Sequence, residues 1–268
     1  TVNPSLRGSN PDRSRVVFNN VPIYNPVRAS QLNNQGFFSL FNTELINKQY
    51  VYASNPPLTY GNTSAGLVEI QTIKALENDQ LKLSSSLASA GFFASKRLKI
   101  GGNFIQLYSD YQFYEAFLGI QEEMLPYLNN FSTFDIGLNT RFQLNKKLSL
   151  NSFSYFIDED FSGFREQFTY RCDFDSAKSR GFSINNLNYA SEQVIFYVNF
   201  GFNSETQDFA FGNTISLQKT DQLFTSINHK IKLGQDISHQ TTLSWDAFST
   251  NFENQIPEFF YASAPESP

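Results

Sequence analysis

Residues that carry metal or redox chemistry are scarce in this sequence. Its 268 residues include one cysteine, Cys172, and two histidines, His229 and His239. One cysteine cannot form an internal disulfide, and these three residues do not have the spacing of a metal site. The two histidines have no cysteine or carboxylate in register with them, which favours ordinary polar positions in strands or turns. We therefore expect no metal and no cofactor.

Charge is also low. Charged residues make up 17% of the sequence, against roughly a quarter in an average soluble domain. The net charge is -5 and the 20 basic residues are scattered, whereas phosphate binding requires clustered Lys and Arg, so nucleic acid is excluded as a partner. No nucleophile-elbow, phosphate-loop, dinucleotide or paired-histidine protease pattern occurs, and Cys172 alternates with aromatic residues as a strand residue would. The sequence predicts that the protein is not an enzyme.

A long apolar run is missing as well. No segment approaches the roughly 20 apolar residues of a membrane-spanning helix, and the mean hydropathy is -0.35. No secretory signal follows Thr1, so either the protein is not exported or its leader precedes this chain. A membrane protein made of strands is still allowed, because lipid-facing and lumen-facing residues alternate along such strands and keep the average hydropathy near that of a soluble protein.

Aromatic and uncharged polar residues are in excess. Aromatics make up 16% of the sequence, with 29 Phe and 13 Tyr against one Trp. Aromatics mixed with Ser, Asn, Gln and Thr suit strands that have one apolar face and one wet face. Trp245 and the tyrosines would fit a girdle at a membrane interface, although ordinary strand packing explains them equally well.

Residues 1–78 differ from the rest in composition and in hydrophobic pattern, and they predict a small mixed domain. They hold six of the ten prolines and several short apolar runs separated by turn dipeptides. In this prediction residues 16–18 form a strand. Asn19-Asn20, a pair that tolerates positive φ, then makes a tight turn before a second short strand.

Beyond residue 78 the hydrophobic period becomes two. In the clearest hairpin one face holds Phe134, Ile136 and Leu138, and the other holds Asp135 and Asn139. Strand follows strand with no interleaved helix, and we count roughly eleven strands of about 10 residues, the length that spans a bilayer when tilted. The apolar faces are predicted to meet lipid, and the polar faces to line a lumen.

The predicted connections alternate between short and long. Short turns are expected at 101–102, 145–147, 175–180, 203–208 and 234–238, all on the periplasmic side if the chain enters the sheet from there. The longest link, 114–132, then lies outside together with the acidic triplet 158–160, as the rule for membrane barrels requires. The triplet lacks the alternating oxygen ligands of a calcium loop, so a solvated acidic loop is favoured over a calcium site.

Three segments near the N-terminus resemble the plug domain of TonB-dependent outer-membrane receptors, particularly the Bacteroidetes-type branch. They are LRGSNPDRSRVVFNNVPIYNP at 6–26, GFFSLFN at 36–42 and YVYASNPPLTYGNTSAGLVEIQT at 50–72. In that family an IRG segment precedes a strand, followed by a DG-V-P turn, a GFFS segment and a closing YG segment that leads into the barrel. Asn19-Asn20 stands where the family has Asp-Gly, which keeps the turn and loses a carboxylate. The positions that match the plug motif are Arg7, Gly8, Asn19, Asn20, Pro22, Gly36, Tyr60, Gly61 and Gly66.

The resemblance implies a mainly β fold in two parts. Residues 1–78 would be the C-terminal part of a plug domain, and residues 79–268 the N-terminal part of an antiparallel transmembrane β-barrel. Family barrels have about 22 strands, so this chain would supply a partial barrel. Each unpaired backbone group at an open barrel edge costs several kcal/mol in lipid, so this piece is expected to need the remaining strands.

The function implied by the resemblance is active import of a scarce nutrient, such as a metal chelate, cofactor or oligosaccharide, across the bacterial outer membrane. The implied partners are TonB, contacted through a segment ahead of Thr1, outer-membrane lipid, a small nutrient ligand and a surface lipoprotein. In the family, outer plug loops hold the substrate. Polar groups beside an aromatic suit such binding by hydrogen bonds and stacking, and the candidates are Tyr24, Asn25, Arg28, Asn33 and Asn34.

Three other classes stay open at this point. A non-transporting β-rich surface or adhesion protein, built as a sandwich, shows the same alternation but turns its apolar faces toward each other. A passive porin-like channel would lack a plug, and the first 70 or so residues argue against it. An outer-membrane enzyme would need an acid, base or nucleophile cluster, which the sequence does not show.

Overall fold

The computed structural model describes residues 14–28, 38–39, 45–53, 56–57, 59–61, 66–98, 101–113, 127–167, 170–234 and 237–256. In this part of the chain, no helix has the length and apolar character needed to cross a membrane. The early strands are β1 (Ser14–Phe18), β2 (Val21–Ile23), β3 (Val27–Arg28), β4 (Phe38–Ser39), β5 (Ile46–Tyr52) and β6 (Gly66–Thr72).

Four of these strands form a sheet in the order β2-β1-β6-β5, which we call the N-terminal sheet; β3 and β4 pair separately. β1 is antiparallel to β2 and parallel to β6, and β5 is antiparallel to β6. Between β1 and β2, Asn19 and Asn20 have φ values of 46° and 67°, and Phe18 pairs directly with Val21. Two positive φ values are what a type I′ hairpin turn requires, so the predicted tight turn is confirmed.

The later strands form one antiparallel sheet in chain order, which we call the wall. Each strand of the wall pairs with its neighbours in sequence, as in an up-and-down barrel. Among the described residues, β7 and β15 are its edges. The wall strands are β7 (Gln80–Ser85), β8 (Ser89–Arg97), β9 (Phe104–Gln112), β10 (Leu128–Gln143), β11 (Leu148–Gln167), β12 (Tyr170–Ala190), β13 (Val194–Phe211), β14 (Thr214–Lys232) and β15 (Ser238–Gln255).

The N-terminal sheet lies on one face of the wall, and the opposite, outward face carries an apolar belt. On β13 the outward residues Phe200 and Phe202 are 42% and 45% exposed, and the next outward positions along the strand are polar, at Ser204, Thr206 and Asp208. Such a contiguous apolar surface is larger than soluble monomers usually expose. Other exposed residues of the outward face are Leu107, Phe134, Ile136, Leu138, Phe156, Ile227, Leu243 and Trp245.

The wall has fewer and longer strands than the sequence predicted. Nine strands are present in the described residues, because the turns predicted at 175–180 and 203–208 lie inside β12 and β13. Both predictions were wrong for one physical reason. In these segments the inward residues are charged or polar, and the outward residues lie beyond the apolar belt, so neither face shows the alternation that marks a strand.

The other predicted connections fall near the ends of strands. The turns predicted at 101–102, 145–147 and 234–238 join consecutive strands at one end of the wall. The longest connection joins β9 to β10 at the other end, although β10 begins at Leu128 and therefore includes residues that were assigned to the link. The predicted alternation of short and long connections was otherwise wrong. At the same end as the long connection, β7 and β8 are separated only by residues 86–88, β11 and β12 by 168–169, and β13 and β14 by 212–213, because these strands extend through residues that the barrel rule would leave to loops.

The acidic triplet is not a loop. Asp158, Glu159 and Asp160 lie within β11, so the prediction of an external acidic loop was wrong. Glu159 faces inward, is 3% exposed and pairs in register with Lys178, while its two neighbours point outward above the apolar belt. Consecutive residues of a strand point to opposite faces, and in a strand that extends past the belt both faces accept charge.

Candidate functional site

The N-terminal sheet contacts the inward face of the wall through an apolar centre. Phe18 on β1 packs against Phe153 and Phe182, with ring centroids 4.7 and 6.2 Å away, and all three rings are buried. Val21 on β2 lies over Gly201, where an added Cβ would come within 2.3 Å of Val21 Cγ1. Glycine therefore permits this close approach. The prediction that the apolar side chains of the wall face lipid was wrong at these inward positions.

Asn19 connects the turn of the N-terminal sheet both to β6 and to the wall. Its side-chain oxygen accepts a hydrogen bond from the backbone amide of Thr72 at 3.0 Å, and its amide donates to Thr72 Oγ1 at 2.9 Å. Its backbone carbonyl accepts a bond from Asn186 Nδ2 on β12 at 2.8 Å. Asn186 in turn donates to Asn199 Oδ1 on β13. Asn19 is 6% exposed, so these bonds are shielded from water.

Arg180 on β12 holds the end of the second strand. Its two terminal nitrogens donate to the backbone carbonyls of Asn25 and Tyr24, each at 2.5 Å, and Nε donates to Asn203 Oδ1 at 2.8 Å. Its charge is balanced by Glu205 on β13, whose Oε2 lies 3.3 Å from Arg180 Nη1. The side chain is fully buried, and the planar guanidinium is well suited to holding several acceptors at fixed angles. We call this arrangement the Arg180 clamp.

A second charged contact lies nearer the edge of the wall. Arg15 on β1 forms an ion pair with Asp246 on β15 at 2.9 Å and donates to the carbonyl of Gly61 at 2.9 Å. Gln222 on β14 donates to Asp246 Oδ1 at 3.0 Å and reaches the carbonyl of Pro22 at 3.5 Å. Together with the packing of Phe18 on Phe153 of β11, these contacts attach the N-terminal sheet to five successive wall strands, β11 to β15.

A cavity of about 450 Å³ separates part of the N-terminal sheet from the wall. It lies toward the end of the wall opposite the β9–β10 connection, since Ser149, Asn188 and Ala190 border it. Most of its lining side chains are amides, hydroxyls or cations. The lining includes Arg15, Asn20, Tyr60, Lys74, Arg141 and Asn151.

Tyr60 closes one side of this cavity. Its hydroxyl donates to Asn20 Oδ1 at 3.1 Å, so the segment around Tyr60 is joined to the β1–β2 turn. Burial raises the pKa of Tyr60 well above its usual value, and the nearby carboxylate of Glu69 raises it further. A phenol with a raised pKa keeps its proton at neutral pH and continues to donate this hydrogen bond.

The structure brings several of the predicted plug-motif residues together. Asn19, Asn20 and Pro22 surround the β1–β2 turn, where Tyr60 and Gly61 contact them or their strand. Gly66 begins β6 and pairs with Ser14 in the parallel register. Arg7, Gly8 and Gly36 lie outside the described residues.

Of the predicted substrate-binding residues, two have described side chains. Tyr24 packs against Phe248 of the wall at 4.7 Å between ring centroids. Asn25 is 7% exposed and has a φ of 46°. Arg28 belongs to β3, and Asn33 and Asn34 lie outside the described residues. Ligand binding by these five residues stays a prediction.

Sequence analysis missed Lys178, Arg180 and Glu205, because the first two were assigned to one turn and the third to another. The signal was present as opposite charges that meet only when β12 and β13 are paired in register, Arg180 opposite Glu205. In the part of the chain that the structure describes, no group of three His, Cys, Asp or Glu side chains is arranged to hold a metal ion.

The chain resembles two solved structures along almost its whole length. It is 12% identical to the ferric citrate transporter FecA in the unliganded form, with a TM-score of 0.56, covering 92% of this chain and 50% of that one. It is 12% identical to the ferric yersiniabactin uptake receptor FyuA from Yersinia pestis, with a TM-score of 0.51, covering 91% and 49%. No protein-family model and no curated protein matches the sequence.

These similarities show the fold. The chain is mainly β and has the partial-barrel fold of TonB-dependent receptors, as the sequence resemblance implied. It spans about half the length of the structures that it matches. Both of these structures are, by name, a transporter or an uptake receptor and not enzymes, in line with the lack of any catalytic motif in the sequence.

Proposed function

We propose that this chain is part of a receptor that actively imports a scarce nutrient across the bacterial outer membrane, driven by TonB. The observation that carries the proposal is a folded N-terminal sheet attached to the inward face of a wall whose outward face is apolar. A passive channel needs no such obstruction, and a soluble sandwich would bury the outward apolar face.

In this proposal the N-terminal sheet is the plug, with residues 1–78 as the C-terminal part of the plug domain and residues 79–268 as the start of the barrel. All described plug-motif residues of the Bacteroidetes-type branch except Gly66 cluster around one turn, which supports this assignment. TonB, pulling on a segment that precedes the sheet, would displace it and open a path. Tyr24, Asn25, Arg28, Asn33 and Asn34 would meet the nutrient, and a surface lipoprotein would assist its capture.

The outward face supports the outer-membrane location. The apolar belt lies toward the end of the wall opposite the β9–β10 connection, and the strands continue beyond it with polar outward residues such as Ser204, Thr206 and Asp208. Barrels of the outer membrane have short periplasmic turns and strands that extend outside into longer loops. The end of the wall opposite the long β9–β10 connection would therefore be periplasmic.

The close contact of Val21 with Gly201 permits a direct test of plug movement. A Cβ on Gly201 would lie 3.4 Å from Val21 Cβ, near the roughly 3.5–4.5 Å between the Cβ atoms of a disulfide. In full-length receptor with Cys172→Ser, the changes Val21→Cys and Gly201→Cys should form a disulfide that joins the sheet to the wall. Both single cysteine variants serve as controls.

We expect cells that express the full-length receptor to accumulate labelled ferric citrate, cobalamin or maltohexaose in a TonB-dependent manner. Oxidation of the double cysteine variant should block this accumulation, and reductant should restore it, while the single variants respond to neither. The purified receptor should also bind the C-terminal domain of TonB in detergent. Absence of that complex, or accumulation that continues with the disulfide closed, would contradict the proposal.

A further inference from the structure

The cavity between the N-terminal sheet and the wall has an unbalanced positive charge. Three cations line it, Arg15, Lys74 and Arg141, and the described lining includes no carboxylate. Arg15 is neutralised by Asp246 at 2.9 Å. The other two cations have no ion pair within 4.0 Å in the described part of the chain.

Among the described residues, Arg141 is held by neutral groups only. Its terminal nitrogens contact Asn151 Oδ1 and Gln143 Oε1, each at 3.4 Å, which is long for a hydrogen bond from a charged donor, usually about 2.7–2.9 Å. The residue is partly buried on the inward face of β10. A partly desolvated guanidinium with weak neutral partners has donors left to offer an anion.

Lys74 lies near Arg141 and experiences its charge. The surrounding protein lowers the pKa of Lys74 by desolvation, and Arg141 lowers it further, while Glu69 acts in the opposite direction. Glu69 accepts a short hydrogen bond from Gln71 at 2.6 Å. Two cations close enough to repel each other favour an anion placed between them.

The remaining lining residues suit an oxyanion. Asn20, Asn151, Asn188 and Asn228 contribute amides that can donate to its oxygens. The cavity volume of about 450 Å³ lies in the range of small-molecule sites.

We propose that this cavity is a binding site for a small oxyanion, with Arg141 and Lys74 as its principal ligands. The proposal rests on the proposed import function and deepens it, because the site lies on the periplasmic side of the N-terminal sheet. A solute would meet it after passing the outer part of the lumen. We therefore expect the nutrient, or the complex that carries it, to be an anion.

The probe for this site is tricarballylate, a tricarboxylate that is added to purified full-length receptor in detergent and followed by isothermal titration calorimetry. We expect saturable binding to one site per receptor, weakened at least tenfold by Arg141→Gln and by Lys74→Gln. Arg141→Lys keeps the charge and should retain most of the affinity. Lys147→Gln, in a short connection at the same end, should bind like the unaltered protein.

Each outcome decides the question. Absence of saturable binding, or affinity that is equal in Arg141→Gln and Lys147→Gln, overturns the site. Thermal unfolding of every variant identifies any loss of fold, and retained binding by Arg141→Lys shows that charge is what matters. Because the titration needs neither TonB nor uptake, failure of the import function and failure of this site are distinguishable.

Discussion

Replacement of Arg180 should loosen the N-terminal sheet, because Arg180 donates two hydrogen bonds to the chain that follows β2. Arg180→Met keeps a long apolar side chain and removes the guanidinium. The carbonyls of Tyr24 and Asn25 lose the hydrogen bonds that Arg180 donates to them, and Asn203 Oδ1 loses the bond from Arg180 Nε. Glu205 keeps Lys178, whose Nζ lies 3.3 Å from Glu205 Oε2, so its charge is not left alone.

The expected cost follows from these contacts. Removal of one member of a buried, hydrogen-bonded charge pair costs about 3–5 kcal/mol. Hydrogen bonds to charged groups contribute about 1.5–3 kcal/mol each, and these values do not add within one cluster. We therefore assign about 2 kcal/mol of the total to the attachment of the N-terminal sheet, which corresponds to roughly 30-fold in an opening equilibrium.

Hydrogen exchange of the full-length receptor in detergent measures this opening. Amides of residues 14–28 should exchange roughly 30-fold faster in Arg180→Met, while those in β13 and β14 should change less. Arg180→Lys restores the charge but not the planar fork, and we expect an intermediate rate. If residues 14–28 exchange at the same rate in all three proteins, the Arg180 clamp does not hold the sheet.

Two further pairs of variants test the turn and the belt. Asn19→Gly keeps the positive φ and loses the bonds to Thr72, so thermal unfolding should show a loss of about 1–3 kcal/mol. Asn20→Gly should cost less, and equal effects would disprove the role of the Asn19 side chain. Phe200→Arg, in the belt, should destabilise insertion into lipid vesicles by up to about 2–4 kcal/mol, against about 0–1 for Thr206→Arg. Equal insertion of both would contradict a lipid-facing belt.

Local chemistry was enough to predict the parts of the fold that depend on near neighbours. Asn19-Asn20 predicted a turn with two positive φ values because asparagine tolerates that conformation, and the structure has it. Phe134, Ile136 and Leu138 predicted an outward face because period two survives where one face meets lipid and the other a wet lumen. Both signals are contained within a few consecutive residues.

Where the two faces of a strand had the same polarity, sequence failed. Arg180 and Glu205 were assigned to turns, and Glu159 to an exposed loop, because their segments have polar residues on both faces. Their partners lie on neighbouring strands, 19 or more positions away along the chain, and pairing in register was needed to find them. The inward, buried positions of Phe153 and Phe182 were also not predicted. The side chain that covers them, Phe18, belongs to another sheet.

The way the wall holds the N-terminal sheet explains why the contact was invisible in the sequence. Asn186, Gln222, Asn139 and Arg180 are wall side chains that all donate to backbone carbonyls of the N-terminal segment, at Asn19, Pro22, Ile73, Tyr24 and Asn25. A carbonyl is present whatever the residue type, so these bonds constrain the path of the chain and not its side chains.

These hydrogen bonds also determine how easily the N-terminal sheet can be displaced from the wall. In a lumen that contains water, each carbonyl that loses a neutral amide donor gains a water molecule, so such a bond contributes only about 0.5–1.5 kcal/mol net. The Arg180 clamp is the exception, because displacement of the sheet would take hydrogen-bond acceptors away from a buried guanidinium. A force that displaces the N-terminal sheet therefore meets its largest single polar barrier at Tyr24 and Asn25. Tyr24 and Asn25, the substrate-binding candidates in that segment, would be the first to move when the Arg180 clamp opens.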